Sequence, residues 1–148
     1  VSCINENLMI YLGCNILNVE ELMLMTMIYT IPNPLLVHPV SPDFLDLCKH
    51  NDDVNIRLIV SGHESVSART LHAMKRDDSE AVILNIALNA NVQPETLLYI
   101  LKHTKTKLPV RTLNAMVKNP NATYEVFNEL ANGDYGNVST VANRILAA

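Results

Sequence analysis

The sequence predicts an all-α fold: a right-handed α-solenoid of about five short helix–helix repeats with an atypical N-terminal cap. Three observations predict it. The 148 residues are 49% hydrophobic, with four Gly, no Trp and only 5% aromatics. A core of Leu, Ile, Val, Met and Ala suits helices packed on helices, and so few glycines do not suit a turn-rich β sandwich. Second, an apolar residue recurs eight positions after the start of each of five turn-like segments, at Leu22, Leu45, Leu71, Leu97 and Phe127. Third, helix-start chemistry precedes each of these anchors.

The units follow in order. Asn18, Ser41, Ser67 and Thr123 can each accept a hydrogen bond from an orphan N–H of a first turn. At the remaining start Gln93 precedes Pro94, whose fixed φ suits the first helical position, and Pro42 does the same after Ser41. Acids follow in the first turns (Glu20, Glu21, Asp43, Glu95, Glu125) and complement the helix dipole; Arg69 breaks the pattern in the third unit. Each unit then has a polar elbow, "KHNDD", "KRDDS", "HTKTK" or "NGDYG". A second apolar segment follows: "VNIRLIVSGH", "EAVILNIALN", "VRTLNAMVKN" and "NVSTVANRIL". One such pair cannot cover both its apolar faces, whereas stacked pairs share a core. The step from Leu97 to Phe127 is longer than the others because of an insert around "TKTKLP". Residues 1–148 therefore form a single helical-repeat domain, with 1–36 as the atypical cap and first unit and 37–148 as the regular repeats. The prolines at 32, 34, 39 and 42 keep a regular helix from running through "MIYTIPNPLLVHPVSP".

The stretch "VRTLNAMVKNPNATYEVFNELANGD" resembles the leucine-rich repeat variant, a short helical repeat akin to HEAT repeats. Val110, Arg111, Asn119, Pro120, Thr123, Phe127 and Leu130 carry the likeness. "IRLIVSGHESVSARTLHAMKRDD" is a weaker copy through Ile56, Arg57, Leu71 and Asp77, and the likeness covers roughly residues 37–146. It implies an α-solenoid. Some members of that family carry an iron–sulfur module on clustered cysteines; this chain has no such cluster, and the feature is not carried over.

Cys3, Cys14 and Cys48 are odd in number and form no Cys-x-x-Cys pair. Reduced thiols in a cytoplasmic protein are the expectation. The longest apolar run, Leu22 to Ile31, is about half of what a membrane span needs. No cofactor is expected. Cys48 and His50 supply two zinc ligands where a structural site needs four. Ser61 and His63 stand close in "VSGHESVS", but without the glycines of a nucleophile elbow and where the repeat requires a turn. His63 reads as a turn residue bonding backbone. Phosphate-loop, dinucleotide and zinc-helix motifs are absent, so no catalytic residue is assigned. The acid pairs Asp52–Asp53 and Asp77–Asp78 read as solvated caps. The triplets at Asn121 and Asn137 match the glycosylation pattern by chance.

The leading functional expectation is a non-enzymatic module that binds a protein partner through the concave face lined by its second helices. The residues expected there are Arg57, Asn85, Arg111, Asn114, Asn143 and Arg144. The alternative is nucleic acid. The first 64 residues hold eight acids and two bases, and the rest hold seven acids and nine bases. Lys102, Lys105, Lys107 and Lys118, with Arg111, form an acid-free basic rim. The overall charge of −4 counts against a polyanion, and Tyr99 is the one aromatic there for stacking. Met23, Met25 and Met27 suit a core or a contact surface; a homodimer through that segment is the alternative to a monomer.

Overall fold

The computed structural model describes residues 42–104 and 107–148. The expected cap and first unit, the anchor Leu22, the N-caps Asn18 and Ser41, the methionine segment, Cys3, Cys14 and Lys105 lie outside these residues. The described residues are all helical, with no strand among them: α1 (Pro42–Cys48), α2 (Val54–Gly62), α3 (Ala68–Ala73), α4 (Glu80–Leu88), α5 (Pro94–His103), α6 (Val110–Lys118), α7 (Tyr124–Asn132) and α8 (Asn137–Ala147).

Capping explains where the helices begin. Ser67 accepts from the Thr70 N–H at the head of α3, and Ser79 from the Val82 N–H at the head of α4. Asp53 caps α2 through the Asn55 N–H. Gln93 makes no side-chain cap and leaves the start of α5 to Pro94. Thr123 precedes α7 but makes no cap bond either. Instead, hydrogen bonds from Glu125's own backbone and then from the Thr123 hydroxyl hold the Glu125 carboxyl below its ordinary range. Gly136 precedes α8 at φ +59°, a conformation costly for a residue with a Cβ.

Helices α1, α3, α5 and α7 begin at 42, 68, 94 and 124, and α2, α4, α6 and α8 at 54, 80, 110 and 137. Helix α2 packs on α4, α4 on α6 and α6 on α8, while α5 packs on α7. Adjacent pairs close across the layer, α1 with α2, α6 with α7 and α7 with α8. The insert expected around "TKTKLP" falls instead in α5, which has ten residues against six in α3, while the elbows after them are of equal length. Phe44, Leu45, Ile56, Leu71, Met74, Ile86, Leu97, Ile100, Leu113, Met116 and Leu130 fill the core between the rows.

Leu45, Leu71 and Leu97 are fully buried, as anchors should be. Phe127 is not: it is half-buried, and Val126 and Leu130 fill the core in its place. The third position of the helix also differs between units. In α3 and α5 that position is Thr70 or Thr96, wholly buried but polar. Thr70 donates to Asp46 Oδ1 at 2.8 Å, and Thr96 Oγ1 meets His72 Nδ1 at 2.8 Å, each reaching 24 residues back. In α7 the position is valine, and Val126 is fully buried where Phe127 is not; in α1 it is Phe44, buried together with the anchor Leu45. Burial alone would raise the pKa of Asp46; the Thr70 hydroxyl and Lys49 outweigh it and hold the carboxyl below its usual range.

A second set of side-chain bonds runs along the turns. Asn89 Nδ2 donates to the carbonyls of Ser61 (3.0 Å) and His63 (3.1 Å), and Asn91 Nδ2 to those of Glu64 and Val66. One turn later Asn119 Nδ2 donates to Ala87 O (2.7 Å) and Asn89 O (3.1 Å), and Asn121 Nδ2 to Ala90 O and Val92 O. Within each turn the first amide oxygen accepts from the second asparagine's N–H at 2.9 Å. His63 imitates this with its ring, accepting the Ser65 N–H on Nδ1 at 3.0 Å. Buried carbonyls need such partners, so the two Asn-x-Asn turns join successive turns as ladder bonds join strands. Asn121, one of the two glycosylation-pattern residues, is thereby committed to structure.

Candidate functional site

Helix α6 turns Thr112, Leu113, Ala115 and Met116 into the core. Arg111, Asn114 and Lys118 stand exposed on its opposite side, spaced three and four apart as one helical face requires. On α8, Val138 and Ala142 are buried, whereas Asn143 and Arg144 are exposed; Asn143 makes only a local bond to Ser139 O. These four expected binding residues, Arg111, Asn114, Asn143 and Arg144, face solvent.

Arg57 and Asn85 stand differently. Asn85 is half-buried and donates to Leu58 O at 3.0 Å, fastening α4 to α2. Arg57 has a 15% exposed side chain and is fully engaged. Its Nε donates to Asp77 Oδ2 at 2.9 Å, its Nη2 pairs with Asp78 at 3.3 Å, and its Nη1 donates to Asn51 O and Asp52 O. Arg57 and Arg111, matched by the sequence likeness, also occupy different places, the fourth residue of α2 and the second of α6. Asp77 is no solvated cap: its side chain is 4% exposed, paired to Arg57 and accepting the Ser79 N–H.

The basic rim divides. Lys102 ends α5 and stands 4.0 Å from Glu129. Lys107 is exposed on the elbow, and Lys118 is exposed at the far end of α6, about 12 Å from that helix's start. Two bases missing from the expected rim gather at the elbow side instead. Lys75 Nζ lies 4.9 Å from the Tyr99 ring centroid, and Arg76 lies 5.3 Å from it while donating to the Tyr99 hydroxyl. His103 stacks on the same ring at 4.1 Å. Tyr99 is thus committed to its own neighbours and not presented for base stacking. The signal in the sequence was the 26-residue offset, which puts "KR" at 75–76 beside Lys102.

The residues expected on the second helices are all polar, but apolar ones are exposed there too. Leu88 and Val110 are each 60% exposed, and Val141 and Ile145 are exposed on α8. Nothing in local periodicity sets them apart from core residues.

Cys48 and His50 are divided by burial. The Cys48 thiol is buried and donates to Phe44 O, and burial pushes its pKa up to about 11; His50 is exposed. Among the described residues no group of three or more His, Cys, Asp or Glu is placed to hold a metal ion, and no helix is long and apolar enough to cross a membrane. Comparison with protein-family models, curated proteins and solved structures found no match to this chain.

Proposed function

We propose that the chain is a non-enzymatic α-solenoid of short helix–helix repeats that binds a protein partner along its second helices. One observation carries the reading. Helices α4, α6 and α8 expose Leu88, Val110, Val141 and Ile145 as well as Arg111, Asn114, Asn143 and Arg144. Large apolar side chains together with arginines and amides are the composition of a protein interface, where a few anchors give affinity and charges orient the approach. The serial packing of α2, α4, α6 and α8 supports the solenoid part, as do the asparagine bonds that repeat between turns. Arg57 and Asn85 are support beneath this surface, and charge reversal at Arg57 acts on the fold.

The test is capture from the native host with the wild-type chain, an Arg111→Glu/Arg144→Glu variant and a Glu95→Lys control. A protein held in stoichiometric amount by wild type and control but lost from the double variant supports the reading. Equal capture by all three, or no stoichiometric partner, overturns it. The second reading, a nucleic-acid surface at the elbows, draws on the cluster of Lys75, Arg76 and Lys102. Affinity would then fall steeply with salt as counterions are released. Titration of labelled duplex DNA decides it: binding tighter than about 10 µM near physiological salt favours the nucleic-acid reading over the protein one.

A further inference from the structure

Arg57 ties two elbows together. Its guanidinium takes the carbonyls of Asn51 and Asp52 from the elbow before α2, and the carboxylates of Asp77 and Asp78 from the elbow before α4. Among the described residues, the next interval, between the elbows before α4 and α6, has no such residue. The fourth position of α4 is Ile83, not arginine. A notch of about 170 Å³ opens there, walled by Asp77, Asp78, Glu80, Ile83, Thr104, Leu108, Pro109 and Thr112. Glu80 and Asp78 are exposed at its rim.

Thr112 supplies an independent sign. It is wholly buried, and its Oγ1 has no hydrogen-bond partner. It is the third residue of α6, the position that Ile56 and Val82 hold in α2 and α4. A valine there would pack with no unsatisfied oxygen, so the hydroxyl is costly unless something binds it. At about 170 Å³ the notch admits one long side chain and is smaller than the usual metabolite pocket. Among the described residues, the acids Asp77, Asp78 and Glu80 line it, Arg57 pairs with the first two, and Lys107 stands on the bordering elbow.

The geometry points to the notch as a receptor for an arginine side chain of an extended partner segment. The incoming guanidinium repeats between α4 and α6 what Arg57 does between α2 and α4. It pairs with Asp78 and Glu80, as planar bidentate donors do with carboxylates, and donates to Thr112 Oγ1. The choice of a peptide as the source of the arginine rests on the protein-binding reading. The notch itself is tested with a probe that does not depend on it.

The probe is Nα-acetyl-arginine amide, with Nα-acetyl-citrulline amide as a neutral control of the same shape, titrated into the whole chain with amide NMR shifts as the readout. The expected result is saturable shifts at Asp78, Glu80 and Thr112 in the millimolar range, with citrulline at least about tenfold weaker. Thr112→Val should keep the fold and weaken binding about threefold or more. Ile83→Arg should abolish it by supplying a resident guanidinium. No saturable shift up to about 50 mM, equal binding of citrulline, or full binding by Thr112→Val overturns the proposal. A misfolded Ile83→Arg leaves the first two arms decisive. Failure here with intact Arg111-dependent capture refutes the notch alone, and loss of that capture with arginine binding intact refutes the second-helix surface alone.

Discussion

At the scale of single residues, two asparagines with the same one-letter code have opposite energetic standing. Asn89 is buried, and its amide satisfies the carbonyls of Ser61 and His63, 28 and 26 residues away. Asn143 is exposed and reaches only Ser139 on its own helix. Asn89→Ala takes the side-chain donor from the Ser61 carbonyl and one of two donors from His63 O, and should cost about 1–3 kcal/mol, whereas Asn143→Ala should stay within about 0.5 kcal/mol. Urea melts of the two variants check this; equal midpoints would mean that the turn bonds contribute no net stability. The sequence marked Asn89, Asn119 and His63 as turn residues, because each falls after a second apolar segment. It did not show that the asparagines bond the turn before their own, since a side-chain bond across 26 to 32 residues leaves no local pattern.

Element by element, the first helices show how far apolar spacing reads. Leu45, Leu71 and Leu97 follow from the spacing, and the structure buries all three. Phe127 has the same spacing but is only half-buried, while Val126, at the position that holds threonine in α3 and α5, is fully buried. An anchor rule that counts only large apolar residues cannot weigh that exchange. Leu97→Ala removes a fully buried side chain from α5 and should cost about 2–5 kcal/mol. Ser67→Ala removes the bond that caps α3 and should cost about 0.5–2 kcal/mol. If denaturant melts place Ser67→Ala below Leu97→Ala in stability, the assignment of cap and anchor is wrong. Of the six polar residues expected on the second helices, four are exposed. Arg111, Asn114, Asn143 and Arg144 were read from polar positions on helices. Arg57 was misread because its partners, Asp77 and Asp78, lie 20 and 21 residues on. Leu88 and Val110 escaped because composition does not say which apolar residues remain uncovered.

For the whole molecule, one buried histidine makes stability depend on pH. His63 accepts the Ser65 N–H on Nδ1, and its Nε2 is buried without a partner. Burial pulls its pKa below the ordinary value, and the nearby Glu64 opposes this only in part. The folded state therefore holds this proton less readily than the unfolded chain. Stability from this group is present above the ordinary value of 6.5 and falls as pH drops through 6.5 toward the lowered folded value. Urea melts at about pH 7.5 and pH 5.5 should differ more for wild type than for His63→Asn. An equal difference in both would remove His63 as the source. Fold class was the most legible feature at this scale, because scarce glycine and a recurring apolar period point one way. The elbow-to-elbow bridge made by Arg57 and the open notch beside Ile83 arise only when separate turns come together.

The asparagine bonds between turns have a direction. Asn89 and Asn91 donate to the turn before theirs, and Asn119 and Asn121 donate to the turn of Asn89 and Asn91. The turns at 61–66 and 87–92 are therefore completed by residues made later on the ribosome, so the finishing of each waits for the emergence of the next. A chain stopped after Val92 would already have the donors of its last turn in use, but that turn's own carbonyls would await asparagines not yet synthesised. During synthesis these two turns can be fastened only after the asparagines of the following turn have emerged.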